Sequence, residues 1–237
     1  MVTVTADKTR CAFDVHLTLT ATVKIVTVDI ALFTLHNHQL AVGLMRRPQE
    51  PFAKAWALPG GYIHPLEDST AHHAAARILQ QKTGVISPYL EEFGTVSGGV
   101  RDPRGWSLTV VYFALIPPQM LAGGVEVFPV DALPSLAFDH AKIIAQVVAR
   151  IRSKASYSSL PMHLCAEEFT IPELHSVYES IMGTPLARAG FRRKLDDLDA
   201  IEAISGAIRP TGKSRPAQLY RMKPAFKKVL SVRERGF

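Results

Sequence analysis

Apolar and polar positions change period several times along the chain, and each change marks an element. Lys24 to Thr34 alternates in the manner of a strand, Leu35-His36-Asn37-His38 reads as a turn, and Gln39 to Arg46 reads as a returning strand. Ala71, Ala75, Ile78 and Leu79 form an apolar stripe at helical spacing, with Ser69 or Asp68 as the cap and Gly84 as the stop. Tyr89 to Val96 and Ser107 to Ile116 predict two further strands. The second is rich in Val, Tyr and Phe and is closed by Pro117-Pro118. Val125 to Val130 predicts another strand. Ala141 to Ile151 predicts a helix with Ile143, Ile144, Val147, Val148 and Ile151 on one face. This order predicts an α/β/α sandwich with a mixed sheet over residues 1–151. Residues 152–168 are small, polar and irregular, and they predict a linker.

A second period begins at Phe169. Thr170 followed three residues later by Glu173 is a capping box, with Pro172 tolerated in the first turn. Apolar residues at 174, 177, 178, 181 and 182 continue a helix that Gly183 ends. A short turn leads to a second helical pattern, ARAGFRRKLDDLDAI, in which Phe191, Leu195 and Leu198 face inward. Ile201 to Ile204, the loop SGAIRPTGKSRPA and a strand from Gln218 to Met222 follow. Helix, turn, basic helix and β-hairpin predict a C-terminal winged helix-turn-helix over residues 169–237.

Charge sharpens that expectation. Of 27 Lys and Arg and 21 Asp and Glu, residues 169–237 hold 13 and 7, while the first 168 residues hold 14 of each. The net charge of +6 therefore sits at the C-terminal end and points to a polyanion partner. Arg192, Arg193 and Lys194 take the place where a recognition helix meets the major groove, and Lys213 and Arg215 stand at the hairpin tip. Arg188 and Tyr220 complete the candidate DNA-binding set. A plainer alternative pairs the basic triplet with Asp196, Asp197 and Asp199 on a solvated helix face. Hydrophobic residues make up 47% and charged ones 20%, as in a globular protein with a core. No apolar run reaches the length of a membrane span, so no membrane partner is expected. The N-terminus lacks a secretory apolar core, and Cys11 and Cys165 lie far apart without metal-ligand spacing. The expected setting is the cytoplasm, with no cofactor.

The segment from Leu58 to Val85, LPGGYIHPLEDSTAHHAAARILQQKTGV, resembles the Nudix box, the loop–helix motif of hydrolases that cleave linked nucleoside diphosphates. Gly60 and Gly61 open the loop, Arg77 takes the arginine position, Leu79 and Val85 the aliphatic ones, and Gly84 the final glycine. The helix positions that hold glutamate in the motif hold Ile78, Gln81 and Lys82 here. Those positions share one helix face, where glutamates would converge oxygens on Mg2+. Isoleucine offers no ligand, glutamine a weak one, and lysine a positive charge. Glu67 and Asp68 are the only carboxylates left near the loop. No catalytic residue and no metal site are expected.

The combination of such a domain with a winged helix resembles the NrtR family, Nudix-related transcriptional regulators of NAD metabolism. The motifs Arg101-Asp102-Pro103-Arg104-Gly105-Trp106, Leu136-Ala137-Phe138-Asp139-His140 and Ser214-Arg215-Pro216-Ala217-Gln218-Leu219-Tyr220 also carry the resemblance. It implies a repressor that binds double-stranded operator DNA as a symmetric homodimer and releases it on binding ADP-ribose or a related metabolite. A diphosphate needs cations and backbone N–H groups, which Arg47, Arg101, Arg104 and the Gly60-Gly61 loop offer. Phe52 or Trp106 is placed to stack on a base, and Asp102, Asp139 and His140 fall within the same motifs. A working ADP-ribose hydrolase with a regulatory winged helix is the alternative, with Glu91 or Glu92 rebuilding the metal site. A protein–protein adaptor is a third class, disfavoured by the basic hairpin tip.

Overall fold

The computed structural model describes residues 25–121, 123–211 and 214–233. β1 (Ile25–His36) and β2 (Gln39–Arg46) form a hairpin. Its two turn residues, Asn37 and His38, have φ of 49° and 59°, the backbone that a two-residue turn needs to match strand twist. β1 runs parallel to β6 (Ser107–Leu115), which pairs antiparallel with β5 (Glu91–Gly98). On its other edge β1 changes partner. Leu32 to His36 pair with β2, whereas Thr27 to Asp29 pair with β4 (Gly60–Tyr62). β3 (Trp56–Ala57) and β7 (Glu126–Pro129) extend the sheet beside β2. The fork in β1's pairing opens beside Asp29.

Alternate residues of β1 face opposite layers, as the strand period requires. Val28, Ile30 and Leu32 pack with Ala74, Ala75, Ile78 and Leu79 of α1 (Ala71–Thr83). Ala31 and Phe33 pack with Ile143, Ile144, Val147 and Ile151 of α2 (His140–Ala155). The result is the expected α/β/α sandwich with a mixed sheet. α1 is capped by the Thr70 side chain, which accepts from the His73 N–H, and ends at Gly84 in the left-handed region. The cap is thus Thr70, one position after the expected Ser69.

Residues 152–168 do not form a linker. α2 continues to Ala155, and Ser158 to Leu164 are all buried, with a 3-10 turn over Leu160–Leu164. Leu160 and Leu164 enter the same core as Phe33 and Ile151. So do Val177 and Ile181 of α3 (Ile171–Met182). The small serines that suggested irregular chain instead permit close packing and local hydrogen bonds. Ser158 Oγ donates to Lys154 O, and Ser159 N donates to Ser231 O of the returning tail.

The remaining elements form the winged helix. They are β8 (Phe169–Thr170), α3, α4 (Arg188–Leu198), β9 (Ile201–Thr211) and β10 (Ser214–Met222), with the strands ordered β8-β10-β9. The capping box forms: Thr170 accepts from the Glu173 N–H while Glu173 accepts from the Thr170 N–H. The hairpin is longer than expected, because Ser205 to Pro210 lie within β9. Gly206, at φ 71°, lies where the register with β10 shifts, so glycine marks an irregularity rather than a loop. No helix among the described residues is long and apolar enough to cross a membrane.

Candidate functional site

The fork beside Asp29 gathers most of the expected effector residues. Asp29 is 7% exposed, in a strand otherwise apolar around it, and a buried carboxylate needs partners. Its Oδ2 lies 4.0 Å from Arg101 Nη2, and its Oδ1 lies 3.8 Å from His140 Nε2. Gly60 stands opposite it on β4. A Cβ at position 60 would come 2.1 Å from Asp29 Oδ1, so only glycine fits there.

Arg101 reaches in from the β5–β6 loop. It donates from Nε and Nη2 to the Asp139 carboxylate at 3.0 and 2.9 Å, and from Nη1 to Ser107 Oγ at 3.2 Å. His140 opens α2 and is buried. Its Nδ1 accepts from the Leu58 N–H at 3.0 Å, which places the proton of the neutral ring on Nε2, toward Asp29. Burial lowers the pKa of His140 against the opposing pull of Asp29, and the ring is held neutral.

Arg104 grips Asp102 through Nε at 3.0 Å and Nη2 at 2.7 Å, and its Nη1 donates to the Tyr62 hydroxyl at 2.8 Å. That pairing holds the Asp102 carboxyl below its ordinary range. Arg47 is fixed by Nε donation to Pro51 O at 2.8 Å, with its guanidinium 4.6 Å from the Phe138 ring centroid. Burial, and then repulsion from Arg104, push the pKa of Arg47 down. An anion between those two guanidiniums would relieve the repulsion. Phe52 and Phe138 meet edge to face at 4.9 Å, and both have positive φ, 64° and 54°. Left-handed backbone at two bulky residues is strain of the kind that collects at functional sites. Trp106, half-exposed beside Gly99, makes no hydrogen bond or ring contact with this group.

The Nudix-like box packs beneath the fork. Arg77 donates to both oxygens of Asp68, from Nε at 2.8 Å and Nη2 at 2.6 Å, and Asp68 also accepts from the His64 N–H. Hydrogen bonding from Arg77 pushes the Asp68 carboxyl well below its usual range. Glu67 pairs with His64 at the surface instead, so of the two carboxylates near the loop only Asp68 serves the box arginine. Ile78 is buried under Gly61, Gln81 accepts from Arg77, and the Lys82 ammonium donates to Gly60 O. This side-chain set does not fit a divalent metal. Glu91 is held by Lys154 and Tyr89, and Glu92 accepts from the Tyr112 hydroxyl. No cluster of three or more His, Cys, Asp or Glu suited to a metal occurs among the described residues.

Asp29, Tyr62, Lys82 and Phe138 were absent from the expected site. A single acid inside the apolar run IVTVDIALF was the available signal for Asp29. Tyr62 and Phe138 lie inside the quoted motifs, but nothing in their residue type marked them for the site.

On the winged helix, Arg188, Arg192 and Arg193 are exposed along α4. Two of the three acids offered as their partners are engaged elsewhere, Asp197 with Arg233 at 2.8 Å and Asp199 with Lys223 at 2.6 Å. Lys194 turns inward, donating to Ala155 O at the end of α2 and standing 4.4 Å from the Tyr178 ring centroid. Tyr220 is half-buried against the winged-helix core. Lys213 and the side chain of Arg215 lie outside the described residues.

Residues 24–150 match the NUDIX domain, and residues 161–222 match the NrtR DNA-binding winged helix domain. The chain is 39% identical over 205 residues to the ADPR responsive transcriptional repressor NtrR of Acinetobacter baylyi, covering 83% of this chain and 81% of that protein. It superposes on the crystal structure of Shewanella oneidensis NrtR complexed with a 27mer DNA, with TM-score 0.78 and 40% identity, over 84% of this chain and 94% of that one. It is also 37% identical over 106 residues to an ADP-ribose pyrophosphatase of Methanocaldococcus jannaschii, covering 43% of this chain and 62% of that protein.

Proposed function

The chain belongs to the NrtR family, a NUDIX domain joined to a winged helix, and on that footing we propose that it is a metabolite-responsive, DNA-binding transcriptional repressor. Its NUDIX domain senses ADP-ribose or a close relative and does not hydrolyse it. The observation that carries this reading is the placement of two charged surfaces on one helix. The Asp29–Arg101–His140 cluster meets the first residue of α2, and Lys194, midway along the arginine-bearing α4, donates to Ala155 O at its last.

Arg47, Arg101 and Arg104 with the Gly60-Gly61 loop take the diphosphate, and Phe52 and Phe138 take the base. Arg188, Arg192 and Arg193 contact the operator, with the hairpin tip reaching phosphates. Two copies bind a pseudo-palindromic site in the cytoplasm, one recognition helix per half-site. Likeness to a pyrophosphatase over the NUDIX domain favours hydrolysis as a second reading, but Ile78 and Lys82 supply no metal ligand.

A gel shift on the protein's own upstream region tests the proposal. The protein retards that DNA, and ADP-ribose weakens binding by roughly 5- to 150-fold, the range of a coupling of about 1–3 kcal/mol. The nucleotide is recovered intact. Changing Arg192 and Arg193 together to alanine abolishes the shift without lowering the melting temperature. Retardation that ignores ADP-ribose overturns the sensor, and retardation that survives the double change overturns the DNA contact.

A further inference from the structure

The three box positions that lack glutamate share one face of α1 yet end in three different places. Ile78 goes into the core beneath Gly61, and Gln81 meets Arg77. Lys82 alone reaches the fork, where its ammonium donates to Gly60 O, directly opposite Asp29. Lys82 is exposed as a residue, with its ammonium partly sheltered where it meets Gly60. Burial lowers its pKa, Asp29 pulls it back up and Arg47 pushes it down, so the ammonium stands within reach of both groups at the fork.

The charge balance of the fork gives Lys82 a role. Arg101 neutralises Asp139 and Arg104 neutralises Asp102. Lys82 and Arg47 then stand against Asp29 alone, and the fork keeps a surplus of positive charge. An ammonium has three N–H donors, of which Gly60 O takes one. The others are left for anionic oxygens, as a compact point charge suits. A glutamate-lined box presents negative charge that a divalent ion must screen before a diphosphate can enter. Here no carboxylate stands at 78, 81 or 82 to be screened.

We propose that Lys82 is a built-in cation replacing a divalent metal against the diphosphate of the ligand, so that ligand binding needs no Mg2+. The inference rests on the reading of this domain as a sensor, and it adds the ion independence of that sensor and the residue responsible.

Isothermal titration of the full chain with ADP-ribose, once in EDTA and once in Mg2+, tests it. The unaltered protein binds equally in both buffers, within about twofold. Lys82→Gln loses about tenfold or more in both, the scale of a hydrogen bond to a charged group, whereas Lys82→Arg stays within a few-fold. Melting curves check that the variants fold, and if Lys82→Gln does not, the two-buffer comparison and Lys82→Arg decide. Binding that requires Mg2+, or Lys82→Gln binding as tightly as the unaltered protein, overturns the role of Lys82 while leaving the sensor standing. No binding of ADP-ribose in either buffer overturns the sensor and this inference with it.

Discussion

His163 is buried in the 3-10 turn after α2, stacked 4.9 Å from Tyr89, and its Nε2 has no hydrogen-bond partner among the described residues. Burial alone pushes its pKa down to about 4. In the unfolded chain the ring titrates near 6.5, so between those values the unfolded state binds the proton and the folded state does not. Stability from this group is complete above pH 6.5 and falls as pH drops toward 4. The loss reaches about 3 kcal/mol, from the pKa difference and about 1.4 kcal/mol per unit. Urea unfolding at pH 7, 5.5 and 4.5 measures it, and His163→Phe removes that part of the slope. An unchanged slope in the variant shows that other groups carry the acid sensitivity. Residue chemistry of this kind was poorly legible in the chain: nothing in LPMHL distinguishes a buried histidine from a surface one, because burial is decided by partners far away in sequence.

Among the elements, β4 is the one most tightly constrained by a neighbour. At Gly60 a Cβ would strike Asp29 Oδ1 at 2.1 Å and Val28 O at 2.9 Å, whereas at Gly61 it would meet only the flexible end of Ile78 at 3.1 Å. Gly60→Ala is expected to cost about 2 kcal/mol or more, since overpacking beside fixed atoms typically costs 1–3. Gly61→Ala is expected to cost less. Chemical denaturation of both variants checks the order, and the reverse order rejects this account of the β1–β4 approach. Elements with strong local signals were readable: the β1–β2 turn, the Thr170–Glu173 capping box, and the helix stops at Gly84 and Gly183. Two elements were misread for a common reason. The serines of 152–168 and the Gly-Pro content near 206–210 are turn signals locally, but packing and strand pairing override them.

At the scale of the molecule, the two domains share interior. Val177 and Ile181 of α3 lie in the core that contains Phe33 and Ile151, and Arg152 Nε donates to Ile181 O at 3.0 Å. One cooperative thermal transition is therefore expected in calorimetry. Ile181→Ala should destabilise by about 2–5 kcal/mol and shift probes in both domains together. Two separate transitions would contradict the shared core. The charge asymmetry along the chain pointed to the DNA-facing end because charge is additive and needs no fold to count. The fork was legible in its arginines and glycines and in Phe52, Asp102, Asp139 and His140, but not in Asp29 and Lys82, which meet there from positions 53 residues apart. The connecting helix gives that arrangement leverage. With 16 residues in α2, its ends stand about 24 Å apart at about 1.5 Å per residue. A pivot of only about 5° at the Asp139 end sweeps the far end through roughly 2 Å over such an arm. The far end is where Ala155 O accepts from Lys194 of α4, so any tilt of α2 is magnified before it reaches the helix that carries the exposed Arg188, Arg192 and Arg193.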